Sequence, residues 1–217
     1  MPTLIILTCV VLLPLLLSLW TSFTPFKLTK PDTLYRFVGF RNYERLIGDL
    51  DFWIAFGRTV LFLAIALNLE LVFGLGIALL INKITYGQRT LRTLMMFPMM
   101  FSPILVGFQW KYIFNDNIGL MNNFLREFGV IQPIPWLVDG ILANVSIMAA
   151  EIWSSTSVFA ILLLAGLLGI PKDPIEAAKV DGCNSWQVFK NITLPFLMPF
   201  VFIAMTIRSL DVARAYD

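Results

Sequence analysis

Residues 59 to 81 read TVLFLAIALNLELVFGLGIALLI and contain one ionisable side chain, Glu70. As a helix this run is roughly 35 Å long, enough to cross a hydrocarbon core of about 30 Å. Four more apolar runs occur, at residues 2–23, 91–114, 141–170 and 195–210. Charged residues make up only 14% of the chain and apolar ones 58%, whereas a soluble domain averages about 25% charged. Mean hydropathy is +0.80. The pattern predicts an all-α integral membrane protein, a single domain over 1–217, with five spans. The first run has no basic n-region and no small-residue cleavage site, so it reads as a span and not a signal peptide.

Composition also excludes functions. The chain has no histidine and two cysteines, Cys9 and Cys183. The commonest general base and metal ligand is therefore absent, and a disulfide framework is not encoded. Met95, Met96, Met99 and Met100 have no histidine or cysteine companions and read as packing, so no metal site and no cofactor are expected. No basic patch supports a nucleic-acid partner, and no catalytic cluster supports an enzyme.

The connections carry their own signals. Asn42 is placed to cap a short helix through Leu50, with Tyr43, Leu46, Ile47 and Leu50 on one interfacial face. Asp51 is placed to cap the next helix, behind an aromatic collar of Phe52, Trp53 and Phe56. Pro98 and Pro103 fall inside the third run and free backbone carbonyls there. Leu120, Met121, Phe124, Leu125 and Phe128 make another apolar face, broken by Gln132-Pro133-Ile134-Pro135. Lysine and arginine counts leave the orientation undecided.

The most punctuated polar stretch is DPIEAAKVDGCNSWQVFKNITLPFLMP, residues 173–199. Asp173 suits an N-cap, Pro174 the first helical position and Glu176 a capping box. Gly182 suits a left-handed stop. Asn184 and Gln187 then suit a second cap pair, with Trp186 and Phe189 sharing a face and Pro195 opening the next span. This predicts two short helices at the membrane surface. On these grounds a plain interfacial loop and a docking element are equally served.

Glu176-Ala177-Ala178, three residues, Gly182, nine residues and Ile192-Thr193-Leu194-Pro195 resemble the EAA loop of ATP-binding cassette importer permeases. Asp181 and Trp186 to Phe189 resemble its carbohydrate-uptake, maltose-type branch. Phe37 to Tyr43, Phe97-Pro98, Trp110, Gly119 to Asn122 and Leu167 to Pro171 are similar to other parts of that branch, in the same order. The resemblance implies a type I importer transmembrane fold with five spans of an expected six. Family members run past an aromatic-aspartate pair, resembled by Tyr216-Asp217, into a final span, so the chain reads as truncated before it. It further implies a sugar or oligosaccharide importer subunit in a bacterial or archaeal cytoplasmic membrane, N-terminus inside. Loop 171–194 would be cytoplasmic, with Glu176, Ala177, Ala178, Asp181 and Gly182 coupling to the ATPase. Implied partners are a second permease subunit in a heterodimer, two ATP-binding subunits and an extracytoplasmic solute-binding protein, in membrane lipid. ATP hydrolysis would belong to the partner: this chain has no phosphate-loop motif, and Gly74 and Gly76 read as helix-packing glycines.

Ionisable groups at membrane depth are functional candidates by default. Glu70, Glu151, Trp153 and Ser154 are the candidate solute path, since carboxylates and indoles suit sugar hydroxyls and sugar faces. The plain alternative is a glutamate satisfied between helices. Alternative functions are import of glycerol phosphate or a polyol, or a secondary transporter, which needs inverted repeats and a denser set of intramembrane charges.

Overall fold

A computed structural model describes residues 6–129 and 132–213. Met1 to Ile5, the start of the first expected span, and Tyr216-Asp217 lie outside the described residues. Two compact units divide the chain, residues 1–58 and 59–217.

In the first unit a π turn, Thr8–Leu12, leads into α1, Leu13–Ser22. Leu13 N–H donates to the Thr8 carbonyl. That wide turn lies directly before Pro14, which cannot donate and whose ring crowds the preceding turn. The apolar helix Thr8–Ser22 is shorter than the long spans. The next helix, α2 (Arg41–Ile47), starts without a side-chain cap. Asn42 instead donates to the carbonyls of Ser22 and Thr24, each at 2.8 Å, and so closes the end of α1. Phe23 sits among Phe37, Phe40 and Tyr43 with ring centroids 5.4 to 6.1 Å away. Leu50 is not on α2 but begins α3, Leu50–Lys83. The cap there is Asp49, accepting from the amides of Asp51 and Phe52, because a carboxylate two or three residues ahead reaches the free first-turn donors. Phe52, Trp53 and Phe56 do pack ring on ring.

In the second unit α3 continues, followed by α4 (Gln88–Met96), α5 (Pro103–Ile113), α6 (Leu120–Glu127) and α7 (Gly140–Leu168). Then come α8 (Lys172–Val180), α9 (Ser185–Val188) and α10 (Leu194–Ala213). Among the described residues, Leu50–Lys83, Gly140–Leu168 and the continuous Ser185–Val212 are long and apolar enough to span a membrane. The expected span 91–114 is a helix pair bent by 90°. Ser102 precedes Pro103 and is driven to the extended ψ of 146°. The helix stops there, and a new one begins on the Ser102 hydroxyl, which accepts from Leu105 N–H.

The expected span 195–210 begins earlier, at Ser185. A π turn, Phe189–Thr193, joins α9 to α10, with Leu194 N–H donating to the Phe189 carbonyl. Pro195 therefore does not open a separate helix. As at Pro14, one wide turn absorbs the proline and the chain stays helical.

Buried Phe62, Ala66, Glu70, Gly74 and Ala78 recur every fourth residue along α3, so one stripe faces inward. It shares a core with Phe159, Leu163 and Leu167 of α7 and Leu197, Ala204 and Val212 of α10. Two glycines set the approach. A Cβ on Gly74 would lie 2.5 Å from Phe159 Cβ, and one on Gly166 would lie 2.8 Å from a Phe200 ring carbon. Close approach through small residues is how membrane helices gain packing energy. A Cβ on Gly76 would meet nothing within 4 Å among the described residues, so of Gly74 and Gly76 only Gly74 sits at a close helix approach. The outward faces stay apolar and exposed, as at Val72, Leu80, Val145 and Phe202.

Candidate functional site

Three polar regions stand out in the second unit. The first lies within the helices. Arg208 of α10 is 7% exposed and Glu70 of α3 is fully buried. Arg208 Nε donates to Glu70 Oε2 at 3.2 Å, and Nη2 approaches Oε1 at 3.4 Å. The same Nη2 donates to Glu151 Oε1 at 2.5 Å and to Ser155 Oγ at 2.6 Å, both from α7. Nη1 reaches Asp211 Oδ2 at 3.3 Å. Ser155 donates to Glu151 Oε1 at 3.2 Å. A planar fork with five donors suits this several-sided engagement. Glu70 is thus a glutamate satisfied between helices, whereas the Glu151 side chain keeps 27% exposure.

Arg208 was absent from the candidates read in the sequence. Its signal was there, a lone cation in the apolar run 195–210, and two lone intramembrane glutamates call for such a partner.

Glu151 and Trp153 do not converge. At about 100° per residue they lie roughly 200° apart around α7. Trp153 instead packs on Phe101 and Trp110, with centroids 6.4 and 6.0 Å away. It borders a cavity of about 550 Å³ with Phe73, Ile77, Met95, Pro98, Thr156 and Ser157. Ser154 turns back to its own helix, donating to the Glu151 carbonyl.

The second region is the turn from α8 to α9. The helix starts at Lys172, so Asp173 lies in its first turn and is not the N-cap, and no side chain caps it. Pro174 is the third helical residue, where its missing donor is still harmless because the first four amides have no helical partner. The ending is as expected. Gly182 has φ +80°, its amide donates to the Lys179 carbonyl, and Cys183 N–H donates to the Ala178 carbonyl. That pair of bonds is a Schellman stop. Asn184 and Gln187 then form a reciprocal capping box at 2.9 and 2.8 Å. Glu176, Ala177, Asp181 and Gly182 surround an exposed or half-exposed turn. Behind it lies a groove of about 430 Å³ between Leu79, Lys83, Ile170, Ile175, Trp186 and Phe189. Cys9 and Cys183 are both free.

A third polar node joins the loops. Buried Asn122 donates to the carbonyls of Asp116 and Ile134 and accepts from Ile134 N–H and Trp136 Nε1. It pins the chain around Pro133 and Pro135.

Apolar helices of membrane-spanning length, closed around an ion-paired cluster, define a helical membrane protein. The chain belongs to the family of binding-protein-dependent transport system inner membrane components, whose model matches residues 70–216. It is 35% identical over 220 residues to the trehalose/maltose transport system permease protein MalF of Thermococcus litoralis, covering all of this chain and 72% of that one. It is 34% identical over 217 residues to a probable ABC transporter permease protein, y4oQ, of Sinorhizobium fredii, covering all of this chain and 70% of the relative. A crystal structure of a bacterial ABC transporter for alginate import superposes with a TM-score of 0.82 at 22% identity. That match covers all of this chain and 73% of the other, and the fold is that of an ABC importer transmembrane component. The secondary-transporter alternative falls with the family.

Proposed function

We propose that this chain is a permease subunit of an ATP-driven sugar importer that receives its power stroke through residues 171–194. The observation that carries this reading is the double punctuation of the α8–α9 turn. A Schellman stop at Gly182 and a capping box at Asn184 hold a short, exposed helix at a fixed angle to a long span. A force applied at Glu176 to Gly182 passes through this turn into the helix Ser185–Val212, which runs unbroken through α9 and α10. The alanines leave a low surface for close approach, and Glu176 offers a carboxylate to a cation on the ATPase. The named relatives include a trehalose/maltose permease, which supports a neutral oligosaccharide as the solute.

In this reading the turn and the N-terminus face the cytoplasm. A second permease completes the path, two ATP-binding subunits supply hydrolysis, and an extracytoplasmic binding protein delivers solute. The solute path includes Glu151, held beside Glu70, and on the far face of α7 the aromatic wall of Trp153, followed in the same turn by Ser154.

Replacing Gly182 with valine tests the coupling. A β-branched residue at φ +80° is strained, so the turn must change shape. The expected result is a complex that loses its ATPase on purification, or keeps it and hydrolyses ATP without importing sugar. Normal uptake with normal ATPase binding rejects the coupling role.

A further inference from the structure

One carboxylate oxygen of Glu151 accepts two hydrogen bonds, and the other accepts none among the described residues. Oε1 accepts from Arg208 Nη2 and from Ser155 Oγ. Oε2 makes no hydrogen bond among the described residues, although the side chain remains 27% exposed. An open acceptor on an ionised group within an apolar span is costly unless something meets it.

Arg208 makes that arrangement possible. Its fork is anchored on Glu70, which is fully buried in this structure. With Glu70 as a fixed point on α3, Nη2 and Ser155 hold Oε1 from two directions. These two bonds fix Oε1 and leave Oε2 without a partner among the described residues on a side chain that keeps 27% exposure.

We propose that Arg208 is a positioning residue for solute recognition: it fixes Glu151 so that Oε2 accepts a hydrogen bond from a hydroxyl of a neutral polyhydroxylated solute. This rests on the reading of Glu151 as part of the path. Two further points follow from charge. Arg208 meets three carboxylates, Glu70, Glu151 and Asp211, so its positive charge is fully engaged. The exposed acceptor therefore favours hydroxyl donors and repels phosphate or carboxylate solutes.

A double-mutant cycle tests this in proteoliposomes holding the complete transporter, with labelled trehalose and maltose as probes. Glu151→Ala and Arg208→Lys are each expected to lower uptake roughly tenfold, the size of one charge-assisted hydrogen bond. Lysine keeps the charge but not the fork. If Arg208 acts through Glu151, the double variant is no slower than Glu151→Ala alone. Ser155→Ala provides a second arm, with a smaller loss that also vanishes in the Glu151→Ala background. It decides the matter if Arg208→Lys does not assemble. Losses that multiply overturn the positioning role while leaving Glu151 in the path. Wild-type uptake by Glu151→Ala overturns the path reading itself.

Discussion

The cluster around Arg208 and the turn around Gly182 solve the same problem in opposite ways. Both keep polar groups satisfied next to apolar helices. The turn does so locally: its bonds join residues no more than five apart in sequence, and it remains exposed. The cluster does so at long range, with Arg208 reaching 138 residues back to Glu70 and 57 back to Glu151. A local device holds its own shape whatever the rest of the molecule does. A long-range device exists only when three helices have come together, and it then resists their separation.

The comparison predicts different kinds of damage. The largest effect is expected from Glu70→Ala, which leaves the Arg208 guanidinium buried with its main anchor gone. Breaking one side of a buried pair costs about 3–5 kcal/mol. Thermal unfolding in detergent should fall markedly, and a second change of Arg208 to methionine should recover part of it.

Gly74→Val comes next. Its side chain would meet Phe159 and the Ala160 backbone, and overpacking costs about 1–3 kcal/mol. Thermal midpoint should drop without any change at the turn, whereas Gly76→Val should leave it unmoved.

Gly182→Ala is expected to cost about 1–2 kcal/mol, the strain of a left-handed residue bearing a Cβ. The cost should appear as faster hydrogen exchange confined to residues 177–188, with the global midpoint almost unchanged. A large global shift would show that the turn is not independent of the helices.

Asn184→Ala is the smallest, about 1 kcal/mol for a lost cap. It should fray α9 alone and add to the Gly182→Ala effect on exchange.

Legibility followed the same division. The Gly182 stop and the Asn184–Gln187 box were readable because their partners lie within a few residues, and so were the apolar runs 59–81 and 141–170, which overlap the helices Leu50–Lys83 and Gly140–Leu168. Local reading failed where neighbours competed for one role. Asp173 and Asp51 looked like caps, but Lys172 begins one helix and Asp49 caps the other. Asn42 looked like a cap too, and instead bridges to Ser22 and Thr24, some twenty residues back. Pro195 was read as a helix start, yet a π turn lets the helix pass it. The pairing of Glu151 with Trp153 followed nearness in sequence, and the helix turns them to opposite faces.

The sequence by itself determined the class of molecule, because about twenty apolar residues in a row have few stable places outside a bilayer. It also determined the shape of the turn from α8 to α9, because capping bonds are made within one or two turns of chain. Only the tertiary structure decided which charges meet. A lone arginine and two lone glutamates in three apolar runs signal that charges must pair, but which atoms meet is decided only when Gly74 and Gly166 let those helices close. The cost of an unpaired charge in an apolar core then makes that one arrangement hold.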